Sequence, residues 1–336
     1  MKLKNLLRIG TAVLAANLFN KRTPINIMFS VTNRCPSRCN YCVIPLRKQR
    51  ELTTQEIFSL FDQLSENGTQ RLGLWGGEPL MREDIGEIIE YAKGKGFYVT
   101  LDSNGYLIPQ KIDQLKNLDL LIISFDGPKE VHDKNREVGS WEKTVRALEI
   151  ATKRLPVWTI TVLTKNNLNQ IDYILDLARK MNFYTTFQVL HHNEYIAADS
   201  QSMLPSPEEY KKAIRKLIEE KKKGAPIVSS LRYLEQLLKW QDYSKTHRIG
   251  KEKGDIPCWA GKLFCNIDTD GKVYPCVVLI EKIKALNFLE VGFKKAFDNI
   301  SSVKCSACTA SCLIEFNLMF SLRFDVIYNW MKYTKK

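Results

Sequence analysis

Between Ile25 and Leu190 short β-branched or apolar runs alternate with longer amphipathic stretches, and no other feature of the sequence restricts its folding as much. Six runs recur: Ile25–Val31, Arg71–Trp75, Tyr98–Asp102, Leu120–Ser124, Val157–Val162 and Thr185–Leu190. Helix candidates lie between them at Thr54–Glu66, Arg82–Lys93 and Asn169–Met181, the last with Ile171, Ile174, Leu175 and Ala178 at helical spacing. Each presents one apolar face to a sheet. This is the pattern of βα units in an α/β fold with parallel strands. Such a sheet, closed or partly closed, places ligands at the carboxyl ends of its strands.

The distinctive residues fall at those ends. Cys35, Cys39 and Cys42 follow the first run, and Gly76, Gly77, Glu78 and Pro79 follow the second. Ser103, Asn104 and Gly105 follow the third, while Ser124, Phe125, Asp126 and Gly127 end the fourth. The spacing Cys35-x3-Cys39-x2-Cys42 puts three thiolates on one loop, which suits three irons of a cubane cluster and leaves the fourth iron open. Open coordination is what catalysis at a metal needs. Zinc is the alternative, although it prefers paired C-x2-C knuckles with a fourth ligand nearby. Nine cysteines in 336 residues, with 44% apolar and 26% charged composition, read as metal ligands in a reducing cytosol rather than a disulfide scaffold.

Together with Tyr41 just before the third cysteine, these motifs resemble the radical S-adenosylmethionine superfamily over about residues 25–195. The resemblance implies a partial (β/α)6 barrel and a [4Fe-4S] cluster on Cys35, Cys39 and Cys42, with S-adenosylmethionine chelating the open iron. It further implies a one-electron reductant such as flavodoxin or ferredoxin, and cleavage of the cofactor to a 5′-deoxyadenosyl radical that abstracts hydrogen. Tyr41, Gly76, Gly77, Glu78, Pro79, Ser103, Asn104, Ser124 and Arg136 are thereby assigned to cofactor binding. Glycines 76 and 77 let backbone approach a ligand closely. Glu78 is suited to accept hydrogen bonds from the cofactor's ammonium group. Arg136 is suited to grip a carboxylate, the other reading being a surface helix arginine. His191 and His192 end the sixth run, either at the substrate or as satisfied structural histidines.

Six further cysteines lie at Cys258, Cys265, Cys276, Cys305, Cys308 and Cys312. They are spread about an expected hairpin of Leu263–Ile267 and Lys272–Val277, joined by a turn ending at Gly271. The set resembles the SPASM or twitch extension, a small cysteine-rich C-terminal domain with auxiliary iron–sulfur clusters. No cysteine follows Cys312, so one auxiliary [4Fe-4S] cluster is implied rather than two. Its ligands would be Cys258, Cys276, Cys305 and Cys308, with Cys265 and Cys312 left open. A structural zinc is the alternative, because Cys305-x2-Cys308 also fits that metal. In sulfatase-maturing relatives an aspartate follows the cysteine corresponding to Cys276; here Val277 does, so that reaction is not expected and no catalytic base is assigned.

These readings divide the chain into an amphipathic helix over 1–22, a core over 23–195, a helical connector over 196–250, an auxiliary-cluster domain over 251–312 and a final amphipathic helix over 313–336. Ser206, Pro207 and Glu209 form a capping box that opens a helix to about Lys222, and Ile227–Lys239 supplies another. Leu313–Tyr333 reads as one helix with a polar stripe of Asn317, Ser321, Asp325 and Asn329.

The net charge of +13 favours an acidic partner. Much of the charge lies on Lys211–Lys223, where Glu208/Lys212 and Glu219/Lys223 are spaced as helix-surface pairs. The chain carries no aromatic-basic recognition motif, so nucleic acid is not expected. The amino terminus is laid out like a signal peptide, but its apolar run is far shorter than the ~20 residues that span a bilayer. A chain that acquires oxygen-sensitive clusters is expected to stay in the cytoplasm. The segment is therefore read as a docking helix, on the cytoplasmic membrane face or on the protein itself.

The substrate classes left open are a peptide and a membrane-associated lipid or metabolite. The 24 residues before the first strand are too few for a peptide-recognition domain, whereas the two termini are similar to those of radical enzymes acting on isoprenoid lipids. The aromatic final helix suits either a lid on the barrel or a lipid contact. A non-catalytic iron–sulfur carrier leaves Gly76–Pro79 unexplained, and a zinc-stabilised binding module is the remaining alternative.

Overall fold

The computed structural model describes residues 3–192, 200–250, 252, 255–300 and 305–334. The boundaries expected at 195 and 251 lie outside the described residues. All six expected strands form: β1 (Asn26–Thr32), β2 (Arg71–Gly76), β3 (Tyr98–Ser103), β4 (Leu120–Ser124), β5 (Val157–Leu163) and β6 (Tyr184–Val189). They pair in parallel in chain order, so the partial barrel is confirmed. The register places Ile27 opposite Leu72, Leu72 opposite Val99, and Leu101 opposite Leu121. Side chains alternate along a strand, so these residues share the outer face under the helices, while Asn26, Met28, Arg71, Thr100 and Asp102 face the lumen.

α1 (Leu3–Phe19) lies at the end of the barrel where the strands begin, with Val13 and Ala16 packed near Ile25 and Phe264. The helices over that outer face are α2 (Thr54–Glu66), α3 (Ile85–Gly94), α4 (Lys129–Asn135), α5 (Ser140–Ala151) and α6 (Ile171–Met181). α2 starts where Thr53 and Glu56 form a capping box, and it buries Ile57, Leu60, Phe61 and Leu64. Each such side chain removed from water contributes on the order of 2 kcal/mol. α3 begins later than the expected Arg82, because Pro79–Met81 forms a 3-10 turn and Arg82 is buried against Asp84 at 2.6 Å.

The cysteine-rich segment is built onto this sheet. After α7 (Pro207–Lys222), α8 (Leu231–Lys239) and β7 (His247–Ile249), the hairpin strands β8 (Phe264–Ile267) and β9 (Lys272–Tyr274) form; β8 lies parallel to β1. β10 (Leu286–Asn287), α9 (Phe293–Asn299) and β11 (Cys305–Cys308) follow, and β11 pairs with β7 in a separate two-stranded sheet. Two local expectations shift. Ile227 bridges to Thr185 at the β6 edge, so α8 starts only after the Ser230 cap. The ion pairs along α7 itself are Glu208–Lys211 and Glu220–Lys223, each at a spacing of three, and Lys216 pairs with Asp172 of α6.

The single final helix is a correction. Leu322 adopts a left-handed φ of 56°, and the Arg323 amide donates to the Leu318 carbonyl, a Schellman ending that separates α10 (Ser311–Phe320) from α11 (Phe324–Thr334). α10 fills the opening between β6 and β8: Ser311 Oγ is 3.3 Å from Gln188 Oε1, and Phe316 packs on Phe264. α11 plugs the end opposite the cysteine rim, with Trp330 against Tyr98 and Tyr333 against Tyr184.

Candidate active site

The loop after β1 is held by the rim of β2. The Gly77 and Glu78 amides donate to the Thr32 and Arg34 carbonyls, both at 2.8 Å. A Cβ on Gly76 would stand 2.2 Å from the Thr32 carbonyl oxygen, and one on Gly77 would stand 2.3 Å from that of Arg34. The two glycines thus admit the chain's own backbone at the root of the cysteine loop.

Glu78 is 0% exposed and braces the rims of β2 and β3. Its Oε1 accepts from Ser103 Oγ at 2.9 Å and from the Leu80 amide at 3.1 Å, and its Oε2 accepts from the Asn104 amide at 2.7 Å. Burial raises its pKa to about 7, against the lowering effect of those three donors. Pro79 is buried at the start of the following turn. Asn104 in turn points at the cysteine loop, with Nδ2 3.6 Å from Cys35 Sγ.

From the other side of the rim comes Arg136, which is buried, so the surface-helix reading is set aside. Its Nε donates to Asp126 Oδ2 at 2.8 Å, its Nη1 lies 3.7 Å from Cys39 Sγ, and its guanidinium stands over the Tyr41 ring at 5.9 Å. Tyr41 Oη donates to the same Asp126 carboxylate at 3.3 Å, while Asp126 Oδ1 accepts from the Val162 amide. Ser124 sits half-buried at the rim. Asp126 ties the cysteine loop to β4 and β5, a role that sequence reading left unassigned although the residue stood in a quoted motif. Burial and the neighbouring charges push the Cys35 thiol up to about 12, and burial pushes that of Cys42 up to about 11. A metal that replaces the protons removes that penalty. Sets of soft thiolates are ligands for iron–sulfur clusters, and the N–H groups of Asn104 and Arg136 suit the charge such a cluster carries.

The lumen below the rim holds residues that the motifs did not reveal. Arg71 reaches Asn26 Oδ1 at 2.7 Å and Thr100 Oγ1 at 3.0 Å, and Trp75 donates to Asn266 Oδ1 at 3.1 Å. Burial raises the Asp102 carboxyl to about 6, with Arg71 opposing the shift. Cys312, exposed on the first turn of α10, lies near enough to these lumen residues for both charges to act on its thiol. His191 and His192 are half-buried with their Nε2 atoms inaccessible and unpartnered, and His192 Nδ1 lies 2.7 Å from Ser200 Oγ.

The remaining cysteines separate by environment. Cys258, Cys276, Cys305 and Cys308 line one cavity together with Leu279 and Leu313. Burial raises the Cys276 and Cys308 thiols, each further raised by the charges of Cys258 and Cys305. Cys305 and Cys308 lie three apart on one strand, a spacing that would aim them at opposite faces; a register shift between Cys305 and Ala307 turns both to the cavity. Cys265 belongs to the outer core opposite Ile27, away from that cavity. Among the described residues, no three or more Cys, His, Asp or Glu side chains converge closely enough to hold a single metal ion.

The family model of the Radical SAM superfamily matches residues 29–178. The chain is 29% identical over 300 residues to the AdoMet-dependent heme synthase of Methanosarcina barkeri (strain Fusaro / DSM 804), covering 82% of each protein. Among solved structures it resembles Streptococcus suis SuiB bound to S-adenosylmethionine, with a TM-score of 0.67, 14% identity, and 87% of this chain and 71% of that one covered. It also resembles anSMEcpe with bound AdoMet and Kp18Cys peptide, with a TM-score of 0.65, 18% identity, and 91% and 99% covered. At these identities the two structures establish the fold.

Proposed function

The chain carries a radical S-adenosylmethionine domain over residues 29–178, and from that premise we propose an enzyme that reductively cleaves S-adenosylmethionine and abstracts hydrogen from a substrate in the barrel lumen. One observation carries the reading: three thiols stand on one rim loop while Asn104, just past β3, and Arg136, at the end of α4, reach two of them. A [4Fe-4S] cluster on Cys35, Cys39 and Cys42, supplied with electrons by a donor such as flavodoxin or ferredoxin, would provide the one-electron reduction that starts radical chemistry. Tyr41, Gly76, Gly77, Glu78, Pro79, Ser103, Asn104, Ser124 and Arg136 are the rim residues proposed to contact the cofactor. Of these, Gly77 and Glu78 also hold the loop and the rim in position.

Arg71 and Asp102 project into the lumen, with Cys312 near them, where they would orient the substrate and exclude bulk water. An auxiliary cluster on Cys258, Cys276, Cys305 and Cys308 is supported by the cavity that these four thiols share. A peptide substrate finds support in the peptide complexes of the two structural likenesses, and a heme precursor in the name of the heme synthase relative. The test is anaerobic reconstitution with iron and sulfide, reduction in the presence of S-adenosylmethionine, and quantitation of 5′-deoxyadenosine. A chain loaded with iron that yields none after reduction would end this reading.

A further inference from the structure

The end of the molecule opposite the cysteine rim leaves a set of large apolar residues exposed. α11 packs Val326, Trp330 and Tyr333 on the protein and is also tethered by polar contacts: Arg232 Nε donates to Asp325 at 2.6 Å, and Asn329 Nδ2 donates to the Val228 carbonyl at 2.7 Å. Phe324 and Tyr328 are left 76% and 73% exposed. α1 is built alike. Val13 and Ala16 pack on the protein and Asn17 donates to the Phe320 carbonyl, while Leu7, Leu14 and Leu18 form an exposed stripe at helical spacing.

Between the two helices runs a groove of about 490 Å³, walled by Ile9, Leu14, Met319, Ile327 and Met331. That volume is in the range of ligand sites. Its floor is Arg71 and Asn26. Asn26 is 3% exposed, and its Nδ2 has no hydrogen-bond partner although its Oδ1 accepts from Arg71. A buried donor without an acceptor is rare, and this one lies where a ligand oxygen would reach it.

The charge on this face selects the occupant. α1 contains no acidic residue and exposes Lys4 and Arg8, Arg323 is exposed beside α11, and the one acid of α11, Asp325, is taken by Arg232. Apolar stripes flanked by cations match an anionic lipid surface. Among the described residues no helix is long and apolar enough to cross a membrane. We propose that α1 and α11 dock the protein on an anionic bilayer by lying in its interface, and that the groove takes in one lipid whose oxygen accepts from Asn26.

The experiment mixes the full chain, reconstituted anaerobically, with vesicles of phosphatidylcholine alone or with added phosphatidylglycerol. Binding is read by sedimentation and by the shift of intrinsic tryptophan emission, since Trp330 lines the groove. The expected result is salt-sensitive binding to the anionic vesicles. It weakens at least about tenfold in Leu14→Glu with Phe324→Glu, both at exposed positions, and about fivefold for each of Lys4→Glu and Arg8→Glu. Gly10 lines the groove with open space about its Cβ, so Gly10→Trp fills it from an unclashing position. That variant is expected to keep vesicle binding and lose saturable uptake of a pyrene-labelled phosphatidylglycerol. Absence of binding, equal binding to both vesicles, or a dimer in solution that Leu14→Glu dissociates would overturn the proposal. The readout is independent of cofactor cleavage, so its failure leaves the proposed reaction standing.

Discussion

Arg136 stands between Asp126 and Cys39, with Nε 2.8 Å from the Asp126 carboxylate and Nη1 3.7 Å from the Cys39 sulfur. One guanidinium therefore joins the fourth strand's end to the cysteine loop. Both partners of the ion pair are buried, with side chains 6% and 0% exposed. Removing the acid alone leaves a buried cation without compensation, and such a change costs about 3–5 kcal/mol. Asp126→Asn is expected to lower unfolding stability by that amount in denaturant titration, and to reduce iron uptake on the adjoining loop. An unchanged midpoint together with full iron content would contradict this placement.

The two thiol groups are expected to lose metal independently. Alanine at Cys35, Cys39 or Cys42 should remove about four irons per chain and abolish 5′-deoxyadenosine formation. Alanine at Cys276 or Cys308 should remove a second set of similar size. Cys265→Ala and Cys312→Ala should retain both sets, because Cys265 lies in the outer core and Cys312 is not among the residues that line the four-thiol cavity. Iron and sulfide analysis decides the matter, and metal loss in Cys265→Ala would refute the assignment.

Two glycines should respond in opposite ways to alanine. At Gly77 the new methyl group would meet the Arg34 carbonyl oxygen at 2.3 Å, so the cysteine loop must move, and lower stability and weaker iron retention are expected. At Gly10, inside α1, nothing lies within 4 Å, and helix propensity predicts a gain of up to about 1 kcal/mol. Thermal unfolding of the two variants checks the contrast; a harmless Gly77→Ala would mean that the loop is not so tightly apposed.

Glu315 gives a pH dependence with a defined sign. Its carboxylate accepts from the Ser230 amide at 2.6 Å, yet burial raises its pKa to about 7 from an ordinary value of 4.5. Between those values the folded chain holds the proton that the unfolded chain has released, so stability falls as pH rises through the window. The side chain is only partly shielded from solvent, which limits the effect to on the order of 1 kcal/mol. Glu315→Gln should flatten the difference in unfolding stability between pH 5.5 and 7.5, roughly the upper part of this window. An equal slope in both proteins would rule the residue out as its source.

Residues 25–190 were legible as six parallel strands because their signals are local: β-branched runs of strand length, separated by helices of 3.6 periodicity. The spacing of Cys35, Cys39 and Cys42 is likewise a property of one loop, so its chemistry could be read without a fold. The capping residues Thr53 and Ser206 act within one turn, and Ser206 opened its helix where expected. The last helix did not reveal its break, because Leu322 takes a left-handed conformation with no glycine or asparagine to signal it.

What the chain order could not settle was which groups would meet. Cys308 and Cys312 are four residues apart, yet one lines the four-thiol cavity and the other lies near Arg71 and Asp102, since a strand ends and a helix begins between them. Glu78 meets Asn104, and Arg47 meets Asp268 across 221 positions, only because parallel register brings their strand ends to one rim. Local periodicity and spacing depend on neighbours in sequence, and these the primary structure determined by itself. The sharing of a carboxylate, the approach of two backbones at a glycine and the placement of α11 depend on packing between distant segments, which only the tertiary structure decided.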